Sequence, residues 1–403
     1  MAENNPEKQL LEEKILSNIY TQGIIDLTQK LIQFPTINPP ADYSEIVPYL
    51  YDIVKDLGME THIMEGSPGK KNVFGIWRGS SKEGALVLNG HTDVVPAGDL
   101  KQWKYDPFAG EIHDGLIWGR GAVDMKGSIA AQIFAAKAVI ESNIPFNSSL
   151  ILALTVDDET GGAFGMKYAL AEGLEPYGWP RPTFHVLGEA TDHNIFGSFK
   201  GRMWFRISTK GVPAHGGQPD LGVNAIDQMT KMIGRFKSVP HLEHPLMGKD
   251  TLNVGIIEGG GKVNMVPDSC SAHMDLRMCA PGSIAEYEGL LKGIIDDLKK
   301  EDPSFDVSEF EIYERREPVE ISEDHPHVKM MKECIYSVSK RTPEFLGFLA
   351  AGDLYHSMRN GIPGLYFGPG DPKFQHRINE RVPIDDLIEA AKVYSLMILR
   401  FCS

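Results

Sequence analysis

The stretch Ala85-Leu86-Val87-Leu88-Asn89-Gly90-His91-Thr92-Asp93-Val94-Val95-Pro96 begins with an apolar run and continues into a histidine and an aspartate. The apolar run predicts a buried strand. His91 and Asp93 follow this strand, where a metal ligand and a carboxylate that orients it are often placed. Because a hydrogen-bonded turn has the same pattern, the interpretation as a metal site depends on the residues after the other predicted strands.

Asp124 is a second candidate ligand, in the segment Gly119-Arg120-Gly121-Ala122-Val123-Asp124-Met125-Lys126-Gly127. A long helix rich in alanine and isoleucine is predicted over 128–141, so Asp124 lies just before a helix N-terminus. An aspartate in that place is typical of an N-cap. The alternative is a carboxylate at the mouth of a sheet, and the sequence leaves both interpretations open.

Further carboxylates follow two more predicted strands. The run 149–156 is the strongest strand candidate and leads into Asp157-Asp158-Glu159. Adjacent carboxylates repel one another unless a cation compensates them, although an acidic, solvated loop is the alternative. Glu189 follows a short strand predicted over 184–187.

The composition limits the kinds of partner. The chain has 403 residues and a formal net charge of −15, which argues against binding to nucleic acid or to an anionic membrane. No apolar run approaches the ~20 residues of a transmembrane helix, and the N-terminus lacks the apolar core of a secretory signal. The 4 cysteines form no Cys-x-x-Cys pair and are typical of cytosolic thiols. We therefore expect a soluble cytoplasmic protein.

The order of predicted elements indicates an α/β chain with an insert. Helical spacing over 9–34 and 44–57, followed by short strands at 60–64, 72–77 and 85–88, predicts an α/β sheet. Between 203 and 313 the order becomes β-α-β-β-α-β, with strands at 203–208, 251–258, 271–278 and 305–313 and helices at 225–236 and 284–299. This order is typical of a ferredoxin-like arrangement. The α/β pattern then resumes, with helices at 327–340 and from 384 and a strand at 364–367.

The candidate ligands share one position relative to the predicted sheet. His91, Asp93, Asp158, Glu159 and Glu189 follow strands, and His376 lies in the loop after another. Since ligands gather beyond the carboxyl ends of parallel strands, these side chains are expected to converge. Imidazoles and carboxylates without a thiolate suit Zn²⁺, Co²⁺ or Mn²⁺. The excess of carboxylates over the need of one ion suggests two ions that share a bridging carboxylate.

These motifs give the chain a close resemblance to the M20 metallopeptidase family, in family order over roughly residues 20–400. The motifs are His91-Thr92-Asp93, Gly119-Arg120-Gly121-Ala122-Val123-Asp124, Asp157-Asp158-Glu159-Thr160-Gly161-Gly162, Gly188-Glu189, Gly211-Val212-Pro213-Ala214-His215, Asn264, Arg277, Phe367-Gly368-Pro369-Gly370 and His376. The resemblance implies a zinc-peptidase-like α/β catalytic domain over 1–199 and 314–403. It also implies an inserted ferredoxin-like α+β domain over 200–313, which serves as lid and dimerisation domain of a homodimer.

The resemblance also implies the metal ligands. Asp124 is expected to bridge two divalent ions, with His91 and Glu189 completing one site and Glu159 and His376 the other. Zinc is the expected metal, with cobalt and manganese as alternatives.

The remaining roles also come from the resemblance. Asp93 would fix the tautomer of His91, and Asp158 would be the general base for the attacking water. His215 would stabilise the tetrahedral oxyanion in the partner subunit. Asn264 and Arg277 would hold the carboxylate of the substrate, the arginine by bidentate pairing. A turn histidine and a structural arginine are the alternatives for His215 and Arg277.

The chain departs from the family pattern at two positions. Family members usually carry Glu where this chain has Asp158, so the reach of the base is shortened by about 1.5 Å. The neighbouring Asp157 is the usual family residue and is expected to orient a ligand. In the substrate-side motif Ala350-Ala351-Gly352-Asp353-Leu354, family members commonly carry Thr in place of Gly352. One hydroxyl for the substrate is therefore missing.

Three functions fit these residues. The favoured one is a two-metal amidohydrolase that cleaves N-acyl amino acids, of the deacetylase or desuccinylase type. A metallo-dipeptidase or carboxypeptidase of the same family is the second. The third is a catalytically silent metal-binding protein, which Asp158 alone favours.

Overall fold

The computed structural model describes residues 6–81, 84–239, 242–350 and 352–403. The helices are α1 (Pro6–Ser17), α2 (Thr21–Ile32), α3 (Ile46–Asp56), α4 (Gly127–Ile140), α5 (Met166–Tyr168), α6 (Ala225–Phe236), α7 (Ile284–Glu301), α8 (Pro326–Ser339), α9 (Leu354–Arg359) and α10 (Ile384–Cys402). The strands are β1 (Glu60–Ser67), β2 (Lys70–Trp77), β3 (Ala85–His91), β4 (Glu111–His113), β5 (Leu116–Trp118), β6 (Ser149–Thr155), β7 (Phe184–Leu187), β8 (Ile195–Phe199), β9 (Gly201–Lys210), β10 (Glu243–His244), β11 (Gly248–Lys249), β12 (Thr251–Gly259), β13 (Ser269–Met278), β14 (Val307–Arg316), β15 (Val319–Glu320), β16 (Phe345–Phe348), β17 (Gly364–Tyr366) and β18 (Arg381–Pro383).

The chain divides into two compact units. The first is built from the residues up to Gly197, from Ile321–Leu346 and from Gly352–Ser403. The second is built from Ser198–Glu320 and a short segment that begins at Gly347.

A mixed sheet forms the centre of the first unit, with strand order β1-β2-β6-β3-β7-β17-β8. The four central strands, β6, β3, β7 and β17, are parallel to one another. Every residue of β3, β6 and β7 is buried. This burial on both faces explains why these strands are continuous apolar runs in the sequence instead of alternating patterns.

The two faces of this sheet have separate apolar clusters. Leu86 and Leu88 pack in the larger cluster, together with residues of α2, α4 and α10. Ala85 and Val87, which point to the opposite face, belong to a smaller cluster. Because β3, β6, β7 and β17 are parallel, the loops that come after them leave the sheet at the same edge.

The second unit contains an antiparallel sheet of order β12-β13-β9-β14. Helices α6 and α7 cover one face, where alternate residues of β9, Met203, Phe205 and Ile207, are fully buried. The intervening residues of β9 are partly exposed on the opposite face. The element order confirms the predicted ferredoxin-like arrangement, with the hairpin of β10 and β11 as an addition.

Some boundaries differ from the predicted ones. The segment 9–34 contains two helices, α1 and α2; apolar spacing continues across the break because Ile15, Ile19 and Ile24 are all buried. The strand predicted over 305–313 lies at Val307–Arg316, since its pairing with β9 continues to Arg316. A small sheet of β18, β5 and β4 was not predicted, because strands of 3 residues show no periodicity. Among the described helices, none is long and apolar enough to cross a membrane.

Candidate metal centre

His91 is the last residue of β3, and its ring lies at the centre of the candidate site. Nδ1 lies 3.0 Å from the main-chain oxygen of Asp93 and 3.6 Å from the Oδ1 atom of the same residue. A carbonyl oxygen can only accept, so Nδ1 carries a proton and donates it. Nε2 therefore faces the rest of the site, 3.0 Å from Oδ1 of Asp124 and 3.3 Å from Oε1 of Glu189.

Asp124 connects two imidazoles. Its Oδ1 atom lies next to His91, and its Oδ2 atom lies 3.1 Å from Nε2 of His376. The same His376 nitrogen is 3.1 Å from Oε2 of Glu159. Asp124 is not the N-cap of α4, because Lys126 takes that position, and the alternative left open by the sequence is thereby excluded.

The loops after three neighbouring strands bring the other ligands to this place. Asp158 and Glu159 follow β6, Glu189 follows β7, and His376 lies beyond β17. The ligand atoms of His91, Asp124 and Glu159 all lie within 4.8 Å of one another, as do those of His91, Asp158 and Glu189. The structure therefore brings together all of the predicted metal ligands.

The electrostatics of this cluster fit bound cations. Burial, and the charge of Asp124, raise the pKa of Glu189 to about 8 and that of Glu159 to about 7. Burial also disfavours the charged form of Asp124. Hydrogen bonds from His376 and His91 nevertheless hold the pKa of Asp124 well below its usual range. Several buried carboxyl groups thus share the positive charge of two imidazolium rings, and a divalent cation would supply further positive charge next to them.

Two buried carboxylate oxygens further support the fit of divalent ions to this cluster. Oδ1 of Asp158 and Oε1 of Glu159 are buried and have no hydrogen-bond partner among the described residues. A buried carboxylate oxygen that makes no hydrogen bond is costly, unless a cation completes its surroundings. With nitrogen and oxygen donors and no sulfur, the donor set suits zinc and related divalent ions.

Asp158 reaches the cluster in spite of its short side chain. It begins the turn Asp158–Thr160, three residues after the end of β6, and one of its oxygens groups with His91 and Glu189. Asp157, by contrast, accepts from Nζ of Lys70 at 3.1 Å and from Oγ1 of Thr160 at 2.6 Å. The acid that faces the cluster is therefore the one that departs from the family pattern.

A buried arginine and glutamate hold the backbone around Asp124, and neither residue had a predicted role. Oε1 of Glu380 accepts from the main-chain N–H groups of Gly121, Val123 and Asp124 at 2.9–3.1 Å. Its Oε2 atom accepts from Arg120 at 2.5 Å, and Arg120 also donates to the carbonyl oxygen of Pro96 at 3.2 Å. One ion pair thus joins three ligand-bearing loops. No periodicity or motif spacing would reveal such a pairing.

The hydrogen bonds of Asn38 and Lys126 were not predicted either. Nδ2 of Asn38 donates to Oδ2 of Asp93 at 2.8 Å and to Oγ1 of Thr160 at 3.0 Å. Lys126 is fully buried at the start of α4, and its ammonium donates to the carbonyl of Phe34 at 2.6 Å. Both anchor the segments that carry the ligands. In the sequence, Asn38-Pro39-Pro40 resembles an ordinary turn. A lysine two residues after Asp124 resembles an ordinary surface residue.

The predicted substrate residues of the second unit lie on two of its surfaces. His215 and Asn264 are exposed on neighbouring loops, and Nδ1 of His215 accepts from the N–H of Gly217 at 3.0 Å. Arg277 lies on β13 and makes a bidentate pair with Asp275, at 2.8 and 3.0 Å.

Gly352, in the first unit, lies against a tyrosine. A Cβ atom at residue 352 would come within 2.0 Å of the hydroxyl oxygen of Tyr366. The threonine common at this position would not fit unless Tyr366 moved.

Comparison with known proteins shows the family of this chain. The model of the peptidase family M20/M25/M40 matches residues 87–400. The chain therefore belongs to this family, whose members hydrolyse amide bonds, and it is a hydrolase of that kind.

Curated relatives match over nearly their whole length. An N-formyl-4-amino-5-aminomethyl-2-methylpyrimidine deformylase from Bacillus subtilis (strain 168) is 28% identical, over 95% of this chain and 96% of the relative. A succinyl-diaminopimelate desuccinylase from Ehrlichia ruminantium (strain Welgevonden) is 27% identical, over 94% of this chain and 97% of the relative. Among solved structures, the aminopeptidase PepT from Bacillus cereus ATCC 10987 has a TM-score of 0.77 at 20% identity, covering 94% of this chain and 98% of that one. This likeness supports the α/β fold.

Proposed function

We propose that the chain is a two-metal amidohydrolase that removes the acyl group from N-acyl amino acids. The observation that carries the proposal is the position of Asp124, whose two oxygens face different imidazoles at 3.0 and 3.1 Å. His91 and Glu189 would hold one divalent ion with Asp124, and Glu159 and His376 the other. Zinc is the proposed metal, with cobalt or manganese able to replace it. Such ions, when bound, polarise the amide carbonyl and lower the pKa of water.

The protein side chains would supply the proton transfers. Asp158 would accept a proton from the attacking water and then return it to the leaving amine. Its orphaned Oδ1 atom supports this role, because both of its lone pairs are free to accept a proton. Asp93 would keep His91 in the tautomer that leaves Nε2 available.

The roles in the second unit are proposed on the resemblance. His215 would stabilise the oxyanion, and Asn264 and Arg277 would bind the substrate carboxylate. The second unit would serve as the lid and as the surface through which two copies pair. Gly352 would leave the substrate side without the hydroxyl of the usual threonine.

Hydrolysis of a panel of substrates tests the proposal. The panel contains N-formyl, N-acetyl and N-succinyl amino acids and dipeptides, assayed with the metal-loaded enzyme and after chelation. We expect hydrolysis of N-acyl amino acids that is lost on chelation and returns with zinc. Faster hydrolysis of dipeptides would instead assign a peptidase. Absence of metal-dependent hydrolysis with every substrate would favour the silent metal-binding protein.

A further inference from the structure

Lys70 is the first residue of β2, and its ammonium group lies among buried polar side chains. Its Nζ atom donates to Oδ1 of Asn38 at 3.2 Å and to Oδ1 of Asp157 at 3.1 Å. It also lies 5.5 Å from the ring centre of Tyr43. The side chain of Lys70 is 19% exposed, while Asn38, Asp157 and Tyr43 are buried. Water therefore cannot easily replace these hydrogen bonds if the lysine is removed.

The side-chain amide of Asn38 has one orientation that satisfies all of its neighbours. Its Oδ1 atom accepts from Lys70. Its Nδ2 atom donates to Oδ2 of Asp93 at 2.8 Å and to Oγ1 of Thr160 at 3.0 Å. An ammonium group can only donate and a carboxylate can only accept, so a reversed amide would place oxygen against oxygen and N–H against N–H. Lys70 and Asp93 therefore fix this amide from its two ends.

Asp93 connects Asn38 to the proposed metal ligand His91. Its Oδ2 atom accepts from Asn38 and from the main-chain N–H of Glu159 at 3.2 Å. Its Oδ1 atom lies 3.6 Å from Nδ1 of His91. A carboxylate next to the protonated nitrogen of a ligating histidine orients the ring. A chain of polar contacts thus runs from Lys70 through Asn38 and Asp93 to His91.

A ring of four hydrogen bonds also joins Lys70 to the turn between Asp157 and Thr160. Lys70 donates to Asn38, Asn38 donates to Thr160, and Thr160 donates to Oδ1 of Asp157 at 2.6 Å. The same oxygen of Asp157 accepts from Lys70, which closes the ring. This turn carries the proposed general base and one proposed metal ligand. Loss of the lysine would remove two of the four bonds.

We propose that Lys70 is a positioning residue of the metal centre, which acts on His91 through Asn38 and Asp93 and on the neighbouring turn through Asp157. The inference rests on the metal centre of the proposed function. In the part of the chain that the structure describes, no hydrogen bond joins Lys70 to a proposed metal ligand. Its removal therefore reaches the ligands only through these intervening side chains.

Cobalt binding to the full-length protein tests this inference without turnover. The metal-free protein is titrated with Co²⁺, and the visible absorption of the bound ion reports the geometry of its ligands. We expect Lys70→Met to shift the absorption bands and to weaken cobalt binding at least about five-fold, since direct partners of ligating histidines typically contribute about 10–100-fold. Asn38→Ala interrupts the same chain at its next residue and should shift the bands as well.

Lys71→Met is the matched control. Lys71 follows Lys70 on β2, but it is exposed and points to the opposite face of the strand. This variant should keep the cobalt spectrum and the cobalt affinity of the wild type. Lys70→Arg, which keeps the charge and the donors, should stay closer to the wild type than Lys70→Met does. Thermal melting of the metal-free proteins shows whether each variant folds.

A purely structural ion pair would give a different result. Lys70→Met would then lower the melting temperature but leave the cobalt bands and affinity unchanged, and this outcome would overturn the inference. Bands like those of the wild type in Asn38→Ala would overturn it too, as would equal changes in Lys70→Met and Lys71→Met. Absence of cobalt binding by the wild type would instead refute the metal centre of the proposed function, and the inference with it.

Discussion

At the scale of single residues, the proposed function depends on Asp158 as the general base. It is one methylene shorter than the usual family glutamate, yet its carboxylate lies with His91 and Glu189. The turn Asp158–Thr160 begins three residues after the end of β6, and at this point the short side chain reaches the cluster. The shortened base therefore does not by itself favour a silent protein.

We expect Asp158→Asn to lower kcat by about 10²–10⁴-fold, the usual contribution of a general base, with a smaller change in KM. The amide keeps the size of the side chain but cannot accept the proton of water. Steady-state kinetics on the best N-acyl substrate measures the effect. Asp158→Glu, which restores the family residue, should keep substantial activity. A kcat for Asp158→Asn equal to that of the wild type would assign the base elsewhere.

Arg120 and Glu380 show how one buried ion pair can hold a site. Glu380 is completely buried, and burial raises its pKa to about 7. Its two oxygens nevertheless satisfy three main-chain N–H groups and the guanidinium of Arg120. Removing one partner of such a pair leaves an uncompensated buried charge, which costs far more than breaking a surface pair.

We expect Glu380→Gln to lower the free energy of unfolding by about 3–5 kcal/mol, measured by urea denaturation of the metal-free protein. Glu111→Gln is the control, because Glu111 makes a half-exposed pair with His113 at 2.9 Å. That substitution should cost no more than about 1 kcal/mol. Similar losses in both variants would mean that Glu380 does not hold the loops as described.

At the scale of elements, the parallel strands made the site predictable. Buried strands are apolar runs that are easy to recognise, and the first polar residues after them must lie at one edge of the sheet. His91, Glu159 and Glu189 could be brought together by this argument alone. The position of Asp124 could not, since a turn before a helix has the same sequence whether its aspartate caps the helix or faces a metal.

The buried His185 of β7 predicts how the stability of the protein depends on pH. The ring is fully buried, donates or accepts through Nδ1 with Ser357 at 2.7 Å, and burial lowers its pKa to about 3. Above pH ~6.5 the folded and unfolded states are both neutral at this group. Below that pH only the unfolded state gains the proton, so stability falls by about 1.4 kcal/mol per pH unit until the folded pKa is reached.

Urea denaturation of the metal-free protein between pH 6.5 and 4.5 measures this slope. The wild type should lose stability more steeply than His185→Gln, by up to about 1.4 kcal/mol per pH unit. Parallel pH profiles of the two proteins would show that His185 is protonated in the folded state.

At the scale of the whole molecule, the order of the elements predicted the fold class. Contacts between residues far apart in the sequence could not be predicted. The acidic net charge argued against binding to nucleic acid or to an anionic membrane, and the switch from α/β to β-α-β-β-α-β order predicted an inserted domain. The position of Arg202 between Arg277 and Arg316 could not be predicted, because these residues become neighbours only through the register of three strands. The anchors Asn38 and Lys126 were missed for the same reason, since their partners lie far away in the sequence.

Anomalous diffraction from crystals of the zinc-loaded protein tests most directly whether two ions share Asp124. We expect two zinc peaks, one beside His91 and Glu189 and one beside Glu159 and His376, with Asp124 between them. A single peak, or zinc bound away from Asp124, would contradict the two-metal centre.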